Sequence, residues 1–213
     1  MGIRKHAGGA LIVVAAAAAA IGLGATTALA TAASLTVKVT GGGSYTATSS
    51  NTTLSDNGVS VTCTSSTASG TIPTKTYSNA TTPVTVGTSA KLSFSGCTGP
   101  LGAVTVKVNK LPYKVQADSK TNSKGQTAGM VAGANTSVTM TGCSFKVTGS
   151  APGFYTNSSH TLTLTPTPPV KLLNKAQLTV SGVNGCAGLV SNGDHPSYKA
   201  TYKVSRAIVI KAS

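Results

Sequence analysis

Apolar and polar residues alternate along most of this chain. In residues 35–40, Leu and two Val alternate with Thr, Lys and Thr. The same period of two recurs at residues 59–61, 92–94, 104–108, 138–140, 145–147, 162–164, 178–180 and 198–204. Successive side chains of a strand point to opposite faces of its sheet, so each run predicts a strand with one buried face. We therefore predict an all-β chain of about ten to thirteen short strands, without a helix.

Clusters of turn-forming residues separate these runs. They occupy residues 56–58, 98–100, 150–153, 166–169 and 192–194. Short strands with frequent turn signals are typical of two antiparallel sheets packed face to face. We therefore predict an antiparallel Ig-like β-sandwich over residues 31–213.

The mature part of the chain also resembles itself. Residues 90–102 are similar to residues 176–189, and a Ser-Val-Thr segment with a nearby Cys precedes each of them. Such an internal repeat offers an alternative to a single domain. In that alternative, two related β-units span about 34–115 and 130–213.

The first thirty residues have the composition of a cleavable secretory signal. Arg4 and Lys5 precede an apolar stretch over residues 10–23, and small residues at 28–30 form an Ala-x-Ala cleavage site. The apolar stretch is shorter than the ~20 residues that span a bilayer. We expect cleavage after Ala30, or after Ala33. Because no Cys stands at the cleavage point and no sorting motif follows, we expect a soluble, extracellular product without a membrane span.

Four cysteines in an exported chain predict two disulfides, for which three connectivities are possible. If the two related units are real, Cys63 pairs with Cys97 and Cys143 pairs with Cys186. The wide Cys spacing and the scattered His residues do not fit a zinc site, so we predict no metal.

The chain is strongly basic because it has few acids. It contains 17 Lys and Arg against 3 Asp and no Glu, for a net charge of +14, and loss of Arg4 and Lys5 with the signal lowers this to about +12. The lysines that lie on the polar phase of strand-like runs are Lys38, Lys91, Lys107, Lys114, Lys146, Lys199 and Lys203. Lys on exposed strands discourages pairing with other chains. Alternatively, these side chains contact anionic polymers.

Residues for catalysis are scarce. Asp56, Asp118 and Asp194 all lie near turn residues, where we expect each to bond its own backbone. After cleavage only His160 and His195 remain, and the Gly-x-Ser-x-Gly motif of a serine hydrolase is absent. An active site would require one of these His to meet Asp118 or Asp194 and a hydroxyl. We therefore predict no enzyme and, without nucleotide fingerprints, no cofactor.

Aromatic residues and arginine are also few. The mature chain has one Arg, Arg206, and no Trp, which disfavours specific nucleic-acid binding. The tyrosines that could line a modest site are Tyr113, Tyr155, Tyr198 and Tyr202. Tyr198 and Tyr202 share one face of a predicted strand, where packing in the core is the simpler interpretation.

Three segments carry a resemblance to known proteins: residues 97–102, 153–157 and 185–189. With the Ala-rich leader and the Thr, Ser, Gly and Val-rich strands, they resemble secreted β-rich proteins of high-GC Gram-positive bacteria, a group that implies compartment and fold but no activity. In style, the chain is also similar to neocarzinostatin-type carrier proteins, which are secreted sandwiches with two disulfides. Those proteins are shorter and acidic, and their Cys pairs are closely spaced.

Two functions follow as expectations. The first is a secreted, non-enzymatic protein that binds anionic cell-wall polymers or matrix through its lysine-bearing sheet faces. The alternative is a small-molecule carrier or protein-inhibitor module that binds through a pocket, or through a loop such as those around Pro152 or Pro168. Composition does not identify the ligand or the oligomeric state.

Overall fold

The computed structural model describes residues 34–213, which contain fifteen strands and no α-helix. The strands are β1 (Ser34–Thr40), β2 (Gly43–Ser49), β3 (Thr52–Asp56), β4 (Val59–Ile72), β5 (Lys75–Thr81), β6 (Val84–Gly99), β7 (Gly102–Ala103), β8 (Thr105–Val108), β9 (Tyr113–Ala117), β10 (Gln126–Met140), β11 (Cys143–Thr156), β12 (Thr161–Leu164), β13 (Leu178–Gly185), β14 (Ser197–Val204) and β15 (Val209–Ala212). A 3-10 turn, Cys186–Gly188, follows β13. The all-β prediction is confirmed. The predicted signal peptide lies outside the described residues.

Twelve of the strands form one antiparallel sheet that closes on itself as an eight-stranded barrel. Around the barrel the order is β11, β12, β14, β2, β4, β6, β9 and β10, and the long ladder between β10 and β11 closes the ring. β3 shares the position of β2, since both pair with β14 and β4, and β8 follows β9 along β10. This architecture differs from the two open sheets of the Ig-like sandwich expected from the sequence.

Bulges in the long strands give a physical reason for the closure. Register shifts occur at Ser69/Gly70 in β4, Thr85/Gly87 in β6 and Ala132/Ala134 in β10. At Gly70, a Cβ atom would lie 1.9 Å from the Thr88 carbonyl oxygen, so only glycine fits this close approach. A bulge bends its strand and increases the local twist. Repeated along strands of 14 to 16 residues, bulges curl the sheet until β10 meets β11.

The turn expected at residues 150–153 is wrong, because these residues lie inside β11. They pair with residues 129–132 of β10, and Pro152 lies opposite Met130. The Pro152 carbonyl still accepts a hydrogen bond from the Thr165 amide at 3.0 Å. Proline lacks a backbone N–H group but keeps its carbonyl, so Pro152 still provides the acceptor that the neighbouring segment needs.

A second, three-stranded sheet closes one end of the barrel. Its order is β15, β1 and β5, and Val37 and Val39 of β1 are fully buried. The Tyr155 hydroxyl donates to the Ile208 carbonyl at 2.8 Å, and the Asn157 side-chain amide donates to the Ile210 carbonyl at 2.9 Å. These bonds join the β15 segment to the end of β11.

Both predicted disulfides are confirmed. Cys63 and Cys97 lie directly opposite each other on β4 and β6, and their sulfurs are bonded. Cys143, at the start of β11, is bonded to Cys186 in the 3-10 turn. The first bond ties two neighbouring barrel strands, and the second holds the end of β13 against β11.

The two proposed halves of the chain interleave in the barrel. β10, from the second half, pairs with β8 and β9 from the first, and β14 pairs with β2 and β3. A common origin of the halves stays a prediction. Within residues 34–213, no helix has the length and apolar character needed to cross a membrane.

Candidate ligand-binding cavity

The barrel interior contains a cavity of about 160 Å³. Inward-facing side chains of the strands form its walls, and most are apolar, among them Leu54, Ala68, Leu92, Phe94, Val106 and Leu162. An eight-stranded barrel is wide enough either to be filled by side chains or to hold one small ligand. An apolar cavity of about 150 Å³ stays dry and takes up molecules such as benzene. The interior can therefore accept a small apolar group.

A chain of hydroxyl groups forms one polar spot in this apolar interior. The Ser66 Oγ lies 2.7 Å from the Tyr202 Oη, which lies 2.9 Å from the Tyr198 Oη. Burial raises the pKa of Tyr198 well above its ordinary value, and Tyr202 adds to the rise. Burial also raises the pKa of Tyr202. Both phenols therefore keep their protons at neutral pH, and the chain offers a neutral donor to a ligand oxygen.

The structure brings together all four tyrosines that the sequence singled out. Tyr113 of β9, Tyr155 of β11, and Tyr198 and Tyr202 of β14 line the same cavity. Burial raises the pKa of Tyr155 to about 12. The Tyr113 hydroxyl donates to the Asn135 carbonyl at 3.2 Å and braces the bulged part of β10.

Tyr45 of β2 also lines the cavity, and sequence reasoning missed it. Its hydroxyl donates to the Thr88 carbonyl at 3.4 Å, and burial raises its pKa. The sequence does contain a strand signal here, because Tyr45 and Ala47 alternate with Ser and Thr in the same way as the residues of the predicted strands.

The backbone ladder of the barrel wall is interrupted between the neighbouring strands β6 and β8. β6 pairs with β9 through Val84 to Ser89 and with β7 through Thr98 and Gly99. Residues 90–96 of β6 have a backbone ladder to β4 alone, while β8 pairs with β10. We call the space between residues 90–96 and 105–108 the seam. Leu92, Phe94 and Val106, which are all half-buried, line the cavity beside the seam.

The seven lysines proposed to contact anions are all exposed, as their position on the polar phase predicts. They are distributed over strands of both sheets. Lys107 and Lys146 lie on either side of Ser137 in neighbouring strands, and Lys38 lies directly opposite Lys211 in the small sheet. Lys91 and Lys114 belong to β6 and β9, and Lys199 and Lys203 to β14.

The prediction that Asp118 bonds its own local backbone is wrong. Asp118 is fully buried, and its Oδ2 accepts hydrogen bonds from the amides of Leu173 and Asn174 at 2.6 and 2.8 Å. The Asn174 side-chain amide donates to the other carboxylate oxygen. This carboxylate therefore holds the long connection between β12 and β13 against the barrel. Its partners are 55 and 56 residues away, beyond the reach of any turn pattern.

Asp194 does form a local turn, since its Oδ2 accepts from the Ser191 amide at 2.7 Å. Its carboxyl also adjoins that of Asp56, which lies at the end of β3. Burial raises the pKa of Asp56, a hydrogen bond with Asp194 and the charge of Asp194 raise it further, and the charge of His195 lowers it.

The two histidines occupy separate places. The Nδ1 of His195 lies 3.0 Å from the Leu178 carbonyl oxygen and 3.5 Å from the Thr179 hydroxyl. His160 adopts a left-handed backbone conformation in the connection before β12, and its carbonyl accepts from the Val204 amide. In the part of the chain that the structure describes, no three His, Cys, Asp or Glu side chains are placed to hold a metal ion.

No match to this chain was found among protein-family models, curated proteins or solved structures.

Proposed function

We propose that this protein is an exported, non-enzymatic carrier that binds a small apolar molecule inside its barrel. The observation that carries the proposal is the apolar cavity of about 160 Å³. Of the two functions expected from the sequence, this cavity favours the carrier. The two disulfides agree with export, because such bonds persist in oxidising compartments.

The expected affinity follows from the area that a ligand would bury. A benzene-sized group that loses ~200 Å² of apolar surface gains about 5 kcal/mol at ~25 cal/mol per Å². That free energy corresponds to a dissociation constant on the order of 0.1 to 1 mM. A hydrogen bond from the Tyr198 and Tyr202 hydroxyls to a ligand oxygen would add about 1 kcal/mol.

Fluorobenzene is a suitable probe, and its binding can be followed by ¹⁹F NMR. We expect saturable binding to the oxidised protein. Ala68→Phe should abolish this binding, because Ala68 lines the cavity and a Phe ring would fill it. Ala134→Leu, a smaller insertion in the β10 wall, provides a second variant in case the larger ring prevents folding.

Thr201→Phe is the matched control, since Thr201 is exposed on β14, precedes the cavity residue Tyr202 and lies outside the seam. It adds the same ring to the outer surface and should leave binding unchanged. If fluorobenzene does not bind the parent protein, or binds Ala68→Phe and Ala134→Leu as well as the parent, the carrier function is excluded.

The second candidate is binding to anionic polymers of the cell envelope, and a like-charge pair favours it. Lys38 and Lys211 lie directly opposite each other on β1 and β15, and both are exposed. Like charges in directly opposite positions repel and destabilise a sheet. A bound polyanion would relieve this repulsion, so the outer face of the small sheet is the surface we assign to such a partner.

Sedimentation with purified cell walls tests this second candidate. The protein should sediment with the walls at low salt and be released at moderate salt, because salt screens exposed charges. The double variant Lys38→Gln, Lys211→Gln should lose more of this binding than Lys199→Gln, Lys203→Gln. Indifference to the walls at every salt concentration would remove this candidate.

A further inference from the structure

The seam between β6 and β8 has apolar residues at both of its ends. Leu101, in the turn between β6 and β7, is 39% exposed, and Leu111, in the connection between β8 and β9, is 37% exposed. Of the large hydrophobic side chains in residues 34–213, only Leu173 is more exposed. Exposed apolar side chains beside an apolar cavity are typical of a ligand entrance.

Lysines surround the same seam. Lys91 precedes the cavity residue Leu92 on β6, and Lys107 follows the cavity residue Val106 on β8. Neighbouring residues of a strand point to opposite faces, so each edge of the seam is apolar inside and cationic outside. Lys110 follows β8, and Lys114 of β9 lies opposite Thr88 of β6. All four side chains are exposed, and we call them the rim lysines.

The rim lysines have no acidic neighbour on the strands of the seam. The chain contains three Asp and no Glu. Asp118 is buried, and its carboxylate accepts from residues 173 and 174. Asp56 and Asp194 adjoin each other at the turn after β3. The positive charge of the rim therefore remains available to a ligand.

We infer that the ligand is an amphiphilic organic anion, whose apolar part occupies the barrel cavity and whose anionic group lies at the seam among the rim lysines. This inference rests on the proposed carrier function and specifies its ligand class. The apolar part is about the size of a benzene ring or a short alkyl chain, which is what a cavity of this volume accepts. The interior phenols are neutral, so the cations of the rim are the groups that distinguish an anion from its uncharged analogue.

A pair of ligands with the same carbon skeleton, one anionic and one uncharged, tests the inference. 4-Phenylbutyrate and 4-phenylbutan-1-ol share a ring and a flexible linker, but only the first is an anion. By calorimetry at low salt, we expect the anion to bind about tenfold more tightly, since each nearby exposed cation contributes a factor of about two to five. Moderate salt should reduce the difference in affinity between the two ligands, because salt screens the exposed charges of the rim lysines.

Variants of the rim locate the effect. Lys91→Met, Lys107→Met keeps the aliphatic stems but removes two charges, and it should remove most of the preference for the anion while the alcohol binds as before. Lys199→Met, Lys203→Met is the control, because it removes two exposed charges from β14. Ala68→Phe should abolish binding of both ligands.

Four outcomes would overturn the inference. If the two ligands bind the parent protein equally, or if the rim and control variants change the preference equally, the anionic ligand class is wrong although the carrier function stands. If phenylbutyrate still binds to Ala68→Phe, its site is on the surface and not in the barrel. If neither ligand binds and fluorobenzene also fails, the carrier function itself falls.

Discussion

The phenol oxygens of Tyr198 and Tyr202 lie 2.9 Å apart inside the barrel, and Tyr202 also contacts the Ser66 hydroxyl at 2.7 Å. Ser66 and Tyr202 are only 1% and 4% exposed. A buried hydroxyl that loses its hydrogen-bond partner destabilises the folded protein, because no water molecule can replace that partner. This chain of hydroxyl groups therefore links β4 to β14, which lie on either side of β2 and β3, and also gives the cavity its polar spot.

Tyr202→Phe should lower the free energy of unfolding by about 1 to 2 kcal/mol. The substitution keeps the ring but leaves the Ser66 and Tyr198 hydroxyls without their shared partner. Urea unfolding followed by circular dichroism measures the change. Tyr77→Phe is the control, since Tyr77 is half-buried on β5 and its ring contact with the Lys75 ammonium survives the change. Equal stability losses in the two variants would contradict this role of the hydroxyl chain.

Asp118→Ala should release the connection between β12 and β13. The amides of Leu173 and Asn174 would lose their acceptor, at a cost of about 2 to 4 kcal/mol. Limited digestion with trypsin reads the release locally, because Lys171 and Lys175 flank the anchored amides and should be cut faster. Asp194→Ala, which removes a local turn bond, should leave cleavage at these two lysines unchanged. Unaltered cleavage in Asp118→Ala would refute the anchoring role.

Each disulfide should stabilise the fold by about 4 kcal/mol, as expected when a bond closes a loop of 34 or 43 residues in the unfolded chain. The double variants Cys63→Ala, Cys97→Ala and Cys143→Ala, Cys186→Ala remove one bond each without leaving a free thiol. Denaturant titration of both should show losses of similar size. A double variant as stable as the parent would mean that its bond does not constrain the unfolded chain.

The Asp56 and Asp194 pair predicts a pH dependence with a definite sign. The pKa of Asp56 is raised above its ordinary value of 3.8, so the folded chain binds more protons than the unfolded chain. Folding stability from this group is therefore highest below pH 3.8 and is lost as the pH rises through the raised pKa. Asp56→Asn should gain up to about 1 kcal/mol over the parent at neutral pH, the range of partly exposed charge pairs.

The gain in Asp56→Asn should vanish near pH 3, where the parent is also protonated, to within about 0.3 kcal/mol. Asp194→Asn serves as the comparison: it removes the neighbouring charge but leaves Asp56 buried, which is the larger cause of the raised pKa, so its gain should be smaller. Unfolding titrations at several pH values supply the measurement. A gain that is independent of pH would show that the ionisation of Asp56 is not its source.

Local features of the fold could be predicted because their causes are local. Asn57 and Gly58 both adopt positive φ angles, 44° and 85°, as the two-residue turns of hairpins require, and the sequence marks this turn directly. Val37 and Val39 are buried while Lys38 between them is exposed, as the alternation predicts.

Features that depend on distant pairing could not be predicted. Pro152 and Gly153 together predict a turn. Both residues nevertheless stay within β11, because β11 pairs with β10 on one side and with β12 on the other. Tyr113, Tyr155, Tyr198 and Tyr202 were recognised one by one, but no pattern in the chain shows that they meet around one cavity. The seam exists because β8 pairs with β10 and forms no ladder with β6, and the sequence does not predict this choice of partner.

The sequence by itself determined that this protein is built of strands with one buried face, with exposed lysines and two disulfides, because each of these follows from residue type and spacing. Only the tertiary structure decided between a sandwich and a barrel. Both architectures require the same alternation of apolar and polar residues. Which of the two forms depends on where bulges bend the strands and on whether β10 pairs with β11. The cavity and its lysine-bordered seam exist only as a consequence of that closure.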